Sequence, residues 1–143
     1  MRGRRGKIFE RLPKAEPMEI IRHDQIPVLS RPGLTSHQLL FPENSASTRL
    51  TITRVVVEPG AVNGRHHHAA SEQVWVALRG AGTLLLADDT TAPFSAGDVV
   101  RFADGDVHGL RNTGTLPFEY LAVTAPPINF RDAYAAPAGG GER

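Results

Sequence analysis

The stretch from Gly60 to Gly80, GAVNGRHHHAASEQVWVALRG, contains three adjacent histidines. Side chains alternate between the two faces of an extended strand, so only the first and third of these histidines can point the same way. His66 and His68 are therefore predicted to form a pair, with His67 directed elsewhere. Two imidazoles at this spacing can reach one cation. Polar loops also contain His-x-His, so a metal site requires further ligands.

Two later features supply candidates for those ligands. Gln73 begins an apolar run whose alternation puts it on the same side as Trp75. The stretch 97–112, GDVVRFADGDVHGLRN, places His108 at the start of a predicted strand, after a turn rich in Gly and Asp. These two residues and the histidine pair would provide four ligands from three strands, and two adjacent coordination positions would remain open.

The rest of the chain predicts an all-β protein. From residue 18 to about 125, short β-branched and aliphatic runs alternate with clusters of Gly, Pro, Asn and Asp. No segment sustains the 3.6-residue period of a long helix. This rhythm indicates one closed or nearly closed antiparallel barrel or a double-sheet jelly roll. The predicted strands are 19–22, 37–41, 49–58, 73–79, 83–87, 98–103, 108–112 and 118–124.

The length of 143 residues is typical of one domain. Residues 1–17 hold six Lys or Arg against two Asp or Glu, whereas residues 18–143 hold ten against thirteen. A nucleic-acid-binding domain needs its basic face on the folded body, so we expect no nucleic-acid partner. We expect 1–17 to be a basic, flexible extension, 18–130 to form the barrel, and 131–143 to be a flexible C-terminal tail.

Composition also restricts the compartment and the assembly. The chain contains no cysteine, which excludes disulfides, thiolate metal ligands and cysteine nucleophiles. The basic extension lacks the apolar core of roughly 7 to 15 residues found in secretory signals, and no later run is long enough to span a membrane. We therefore expect a cytoplasmic protein without a membrane partner. The strand at 73–79 is apolar on both faces, which predicts that a second subunit covers its outer face in a homodimer.

The two histidine-containing stretches resemble the two motifs of the cupins, G-x5-H-x-H-x3,4-E-x6-G and G-x5-P-x-G-x2-H-x3-N. Gly60 and the histidine pair fill the first half of the first motif, and 97–112 fills the second, with Ala103 in place of proline. The resemblance covers roughly residues 36 to 126. It implies a cupin jelly-roll β-barrel, or double-stranded β-helix, that binds one divalent transition metal ion, either Fe, Mn, Ni, Zn, Co or Cu.

The acidic ligand of the first motif can be placed in two ways. Glu72 satisfies the shorter gap after His68 but leaves seven residues before Gly80, whereas Gln73 satisfies the longer gap and leaves the required six. Strand alternation prevents both side chains from facing inward. SEQVWVALRG is similar to a cupin subgroup in which Gln replaces Glu as a ligand. We therefore take Gln73 as the ligand and Glu72 as its outward-facing neighbour or a residue that supports a ligand.

Four further residues are candidates for the wall of a substrate pocket. Trp75 should share the inward face with Gln73, although a lone tryptophan commonly serves only as core. The Arg54 side chain points either into the barrel, where it would be a cation for a substrate carboxylate, or to the outer face. His37 and Tyr120 complete the set, and each also admits a purely structural role.

The resemblance implies a metal-dependent enzyme, of the isomerase/lyase or dioxygenase type, that acts on a small polar or anionic metabolite. A neutral glutamine ligand would leave the full charge of a divalent ion in the cavity, which favours anionic ligands such as 2-oxo acids. One alternative is a non-catalytic module that binds a metabolite or a metal. Another is a metal-free barrel in which histidine acts as a base. Because one fold supports many reactions, the fold does not choose among these.

Overall fold

The computed structural model describes residues 17–135, whose regular structure comprises ten strands, one short α-helix and two 3-10 helices at His23–Gln25 and Ala87–Asp89. Most of the predicted basic extension and the end of the predicted tail lie outside these residues. None of the described helices is long and apolar enough to cross a membrane. The elements are β1 (Val28–Arg31), β2 (Leu34–Leu40), β3 (Thr51–Val57), β4 (Val62–His66), β5 (Glu72–Arg79), β6 (Ala81–Leu85), β7 (Thr91–Ser95), β8 (Val99–Phe102), β9 (His108–Arg111), β10 (Phe118–Ala125) and α1 (Arg131–Ala135).

The strands form two antiparallel sheets, which confirms the all-β jelly-roll fold. The six-stranded sheet has the order β1-β2-β3-β10-β5-β8, and the four-stranded sheet has the order β4-β9-β6-β7. Buried and partly exposed residues alternate along β3, β5 and β10, as expected for strands with one face on a core. The large buried side chains between the sheets are Trp75, Phe94, Phe102, Leu110, Phe118 and Tyr120.

The strand predicted at 19–22 is wrong. These residues run along the outside of the barrel, where the Glu19 carboxylate accepts hydrogen bonds from Ser45 Oγ and the Ala46 amide, both at 2.7 Å. The Ile20 side chain remains 58% exposed, so this segment buries too little apolar surface to join a sheet. Strand prediction also misses β1, β4 and β7. Gly64 interrupts the strand-like sequence of β4, and Pro93 interrupts the strand-like sequence of β7.

Helix α1 lies in the segment predicted to be a tail, and it packs against β1. Arg131 anchors it through an ion pair of 2.6 Å with Glu43, and the Arg131 guanidinium lies over the Phe41 ring. Phe130, directly before α1, and Tyr134 within it line the cavity beside the histidines. The C-terminal segment therefore contributes to the wall of the candidate site.

The outer face of the six-stranded sheet carries an apolar stripe. Val76 on β5 lies between Leu121 on β10 and Val99 on β8, and all three side chains are directed away from the core. Val99 is 64% exposed and Leu78, farther along β5, is 43% exposed. Contiguous exposed apolar surface commonly marks a protein–protein interface. The homodimer stays a prediction, and we take this stripe as the contact between its two subunits.

Leu78→Lys should convert the predicted dimer into a monomer, because it would place a charge within the apolar contact. Size-exclusion chromatography with light scattering measures the mass directly. Leu116→Lys is the matched control, since Leu116 is 60% exposed in the loop between β9 and β10 and is not on a strand that carries the stripe. A monomeric wild-type protein, or a Leu78→Lys variant that remains dimeric, would contradict this interface.

Candidate metal centre

Three histidine side chains from two separate segments of the sequence converge inside the barrel. His66 ends β4, His68 follows it, and His108 begins β9. Because β4 and β9 pair antiparallel, His66 lies directly opposite His108. The ligand nitrogens of the three residues all lie within 4.8 Å of one another. The structure therefore brings together the three histidines that the sequence selected, and His67 is not part of this cluster.

A close approach of two strands makes this convergence possible. A Cβ atom added at Gly109 would lie 2.7 Å from the Asn63 carbonyl oxygen and 3.0 Å from that of Gly64. These separations are shorter than real Cβ contacts, so only glycine lets the β9 backbone approach β4 so closely at the residue after His108.

Backbone carbonyls orient two of the imidazoles. The Nδ1 atoms of His66 and His108 lie 2.7 Å and 2.8 Å from the carbonyl oxygens of Gly64 and Asp106. A carbonyl oxygen only accepts, so each Nδ1 carries the proton and each Nε2 carries the lone pair that binds a metal. The Nε2 of His108 is buried and has no hydrogen-bond partner among residues 17–135.

Burial keeps His108 in the state that coordinates metals. Its side chain is 1% exposed and its ring stacks on Phe102 with a centroid separation of 4.4 Å. Desolvation lowers the pKa of His108 to about 4, although the hydrogen bond to the Asp106 carbonyl acts in the opposite direction. The imidazole is therefore neutral at physiological pH.

The residue that departs from the second cupin motif helps to position His108. Ala103 occupies the place of the motif's proline, and its amide donates a hydrogen bond of 2.8 Å to Asp106 Oδ2. A proline has no N–H and could not make this bond. The Asp106 amide in turn donates to the Ala103 carbonyl at 3.0 Å. This turn holds the Asp106 carbonyl that orients the imidazole.

Gln73 faces the cavity and Glu72 faces away from it. Gln73 is 4% exposed, and its Nε2 donates to Thr124 Oγ1 while its Oε1 accepts from Trp75 Nε1, both at 2.7 Å. Glu72 instead pairs with Arg101 at 2.7 Å on the outer side. Alternation along β5 thus agrees with the longer gap in the first motif. Coordination by Gln73 stays a prediction.

A cavity lies beside the histidines, and His66 and His68 form part of its lining. No Asp or Glu is among the described residues that line it, and Arg31 is the one Lys or Arg in that set. Tyr120 accepts a hydrogen bond of 3.1 Å from Asn63 Nδ2, and burial raises the pKa of the Tyr120 hydroxyl far above its ordinary value. The lining includes Arg31, Ser36, Thr53, Asn63, His66, His68, Gln73, Trp75, Tyr120, Phe130 and Tyr134.

Two predicted pocket residues lie on the opposite face of the sheet. His37 and Arg54 are cross-strand neighbours on β2 and β3, and Arg54 pairs with Glu119 at 2.9 Å. Partial burial and the charge of Arg54 lower the pKa of His37. Their neighbours Ser36 and Thr53 take the inward positions and line the cavity. His37 and Arg54 therefore do not line the cavity, and of the two placements left open for Arg54 the structure shows the outer face.

Sequence reasoning misses several residues of the cavity wall, and Arg31 and Asn63 are two of them. Arg31 comes from β1, a four-residue strand whose sequence, VLSR, does not alternate apolar and polar residues, and Asn63 comes from β4, whose strand-like sequence Gly64 interrupts. No local signal marks either residue, since their proximity depends on where β1 and β4 lie in the two sheets.

Comparisons with known proteins give the family context of this site. Residues 53–124 match the cupin domain family. The chain is 31% identical over 85 residues to the oxalate-binding protein of Thermotoga maritima, covering 59% of this chain and 69% of that one. It is 26% identical over 118 residues to an uncharacterized protein of Methanocaldococcus jannaschii, covering 80% and 94%. The crystal structure of a predicted oxalate decarboxylase from Thermotoga maritima is similar with a TM-score of 0.63 at 25% identity, covering 76% and 99%.

Proposed function

The chain belongs to the cupin domain family, and on that premise we propose that it is a metal-dependent enzyme that acts on a small anionic metabolite. The observation that carries this proposal is the buried Nε2 of His108, which has no hydrogen-bond partner in the described part of the chain and lies beside two further imidazoles. Leaving a buried polar atom unsatisfied costs about 1–3 kcal/mol. A ligand at this nitrogen would remove that cost.

The donor set fits a divalent transition metal ion. His66, His68 and His108 offer imidazole nitrogens, which suit Fe, Ni, Cu, Co and Zn, and the cupin family adds Mn to this set. We assign Gln73 as the fourth ligand, through the second lone pair of Oε1, while the Trp75 N–H occupies the first. When bound, such an ion would supply a Lewis acid for a substrate oxygen.

The remaining residues bind the metabolite and control protons around it. Trp75 and Tyr120 pack with a ring-centroid separation of 4.4 Å, and these two buried rings form an apolar wall that excludes water. Because Asn63 donates to the Tyr120 hydroxyl oxygen, the hydroxyl proton is directed to another acceptor, such as an oxygen of the metabolite. Burial raises the pKa of this hydroxyl, so the group stays protonated and acts as a donor.

A specific observation favours a second candidate function, a non-catalytic module that binds a small carboxylate. The described cavity lining offers no carboxylate side chain to act as a general base. The chain is also similar to a protein named for oxalate binding. In this case the same metal and pocket would hold a metabolite without converting it.

Elemental analysis of the purified protein, combined with a screen of 2-oxo acids, uronates and aromatic diols, separates these functions. We expect close to one equivalent of a transition metal and conversion of at least one compound. Oxygen consumption would identify a dioxygenase, and conversion without oxygen an isomerase or lyase. Binding without conversion would favour the module. Less than ~0.1 equivalents of metal, with no uptake on incubation, would contradict the metal centre.

A further inference from the structure

Arg31 brings a positive charge to the cavity that the proposed metal centre does not use. Its guanidinium lies over the Tyr134 ring, 5.3 Å from the centroid, and its Nη2 donates a hydrogen bond of 3.4 Å to Asn63 Oδ1. Within residues 17–135, no Asp or Glu forms an ion pair with Arg31. The charge is therefore held in place by neutral groups.

The described cavity lining contains no carboxylate side chain that could pair with the Arg31 guanidinium. A guanidinium has five N–H donors in a planar fork, and the contact with Asn63 occupies one of them. The remaining fork matches the two oxygens of a carboxylate. Because the described lining contains no second Lys or Arg, Arg31 is the one cationic side chain of this kind in it that can pair with a carboxylate.

Asn63 connects Arg31 to a second donor. Its Oδ1 accepts from Arg31 and its Nδ2 donates to the Tyr120 hydroxyl oxygen at 3.1 Å, so the orientation of the amide is determined at both ends. The Tyr120 hydroxyl proton then points to an acceptor other than Asn63. Arg31 and Tyr120 thus present two hydrogen-bond donors to the same cavity that His66 and His68 line.

We propose that Arg31 is the carboxylate-binding residue of the cavity, with the Tyr120 hydroxyl as a second donor and Asn63 as the residue that positions both. The ligand is then a small carboxylic acid whose remaining oxygens face the histidines. This inference rests on the proposed function, because it assigns the ligand class of the same site.

Isothermal titration calorimetry with acetate, oxalate and 2-oxoglutarate tests this assignment on protein loaded with Zn²⁺ and on metal-free protein. We expect saturable binding of at least one of these acids, and Arg31→Gln should weaken it by about 10- to 100-fold through the loss of charge-assisted hydrogen bonds. Zinc content should stay unchanged. Arg54→Gln is the matched control, because it removes the same charge from the outer face and should leave carboxylate binding as in the wild type.

A second variant keeps the test decisive if Arg31→Gln is poorly folded. Asn63→Asp has the same shape and places a carboxylate against Arg31, which should compete with the ligand and weaken its binding in the same way. Unchanged affinity in Asn63→Asp or in folded Arg31→Gln, or no saturable binding of any of the three acids by the wild type, would overturn the inference. Failure of the wild type to bind Zn²⁺ would instead overturn the proposed metal centre.

Discussion

Replacing His108 with alanine should abolish metal binding. The substitution removes one of three imidazoles whose ligand nitrogens lie within 4.8 Å of one another. Even the loss of a partner that merely supports a metal ligand typically costs about 10- to 100-fold in affinity, so the loss of a ligand should cost more than about 100-fold. Metal content after dialysis, measured by mass spectrometry, and titration with Zn²⁺ check this result.

The companion variants extend the same prediction. His66→Ala and His68→Ala should release the metal as His108→Ala does, whereas His67→Ala should retain it because His67 lies outside the cluster. His67→Ala is therefore the matched control for the removal of an imidazole from this segment. Circular dichroism establishes that each variant is folded. Full metal occupancy in a folded variant of any of the three clustered histidines would refute the assignment of that residue.

Gln73→Glu should raise the affinity for a divalent metal ion and lower the stability of the metal-free protein. The new carboxylate can accept from both present partners, since the Thr124 hydroxyl can turn to donate and the Trp75 N–H donates already. The substitution therefore preserves the packing and adds one negative charge to the cavity wall. A carboxylate neutralises part of the charge of the ion, which should increase affinity by at least about tenfold, or ~1.4 kcal/mol.

Without metal, the same buried carboxylate should lower the free energy of unfolding by about 1–3 kcal/mol, because it exchanges hydration for neutral donors. Urea unfolding with and without Zn²⁺ measures both effects in one experiment. Glu72→Gln is the control at the adjacent position. Its side chain pairs with Arg101 on the outer face, so metal affinity should not change. Loss of metal in Glu72→Gln, with no change in Gln73→Glu, would show that the motif is read one residue out of register.

Much of the candidate site follows from periodicity within single strands. The alternation of side chains separated His66 and His68 from His67, and it paired Gln73 with Trp75 while directing Glu72 outward. The turn that positions His108 was also recognisable from its Gly and Asp residues. In the structure, Gly105 of this turn adopts a positive φ of 80°, which glycine accommodates best. These features are local, since each depends on neighbours within a few residues along the chain.

The sequence by itself determined the all-β class and, through the resemblance of its two motifs to those of cupins, indicated the barrel and the three clustered histidines, because strand alternation and motif spacing are properties of short segments. Only the tertiary structure decided which face of β2 and β3 is inside, and it placed His37 and Arg54 on the outer side. It also brought Arg31 from β1 and Asn63 from β4 to one cavity, although the two strands belong to different sheets. Periodicity assigns residues to two faces of a strand, but the packing of one sheet against the other determines which face lines the cavity and which residues meet there.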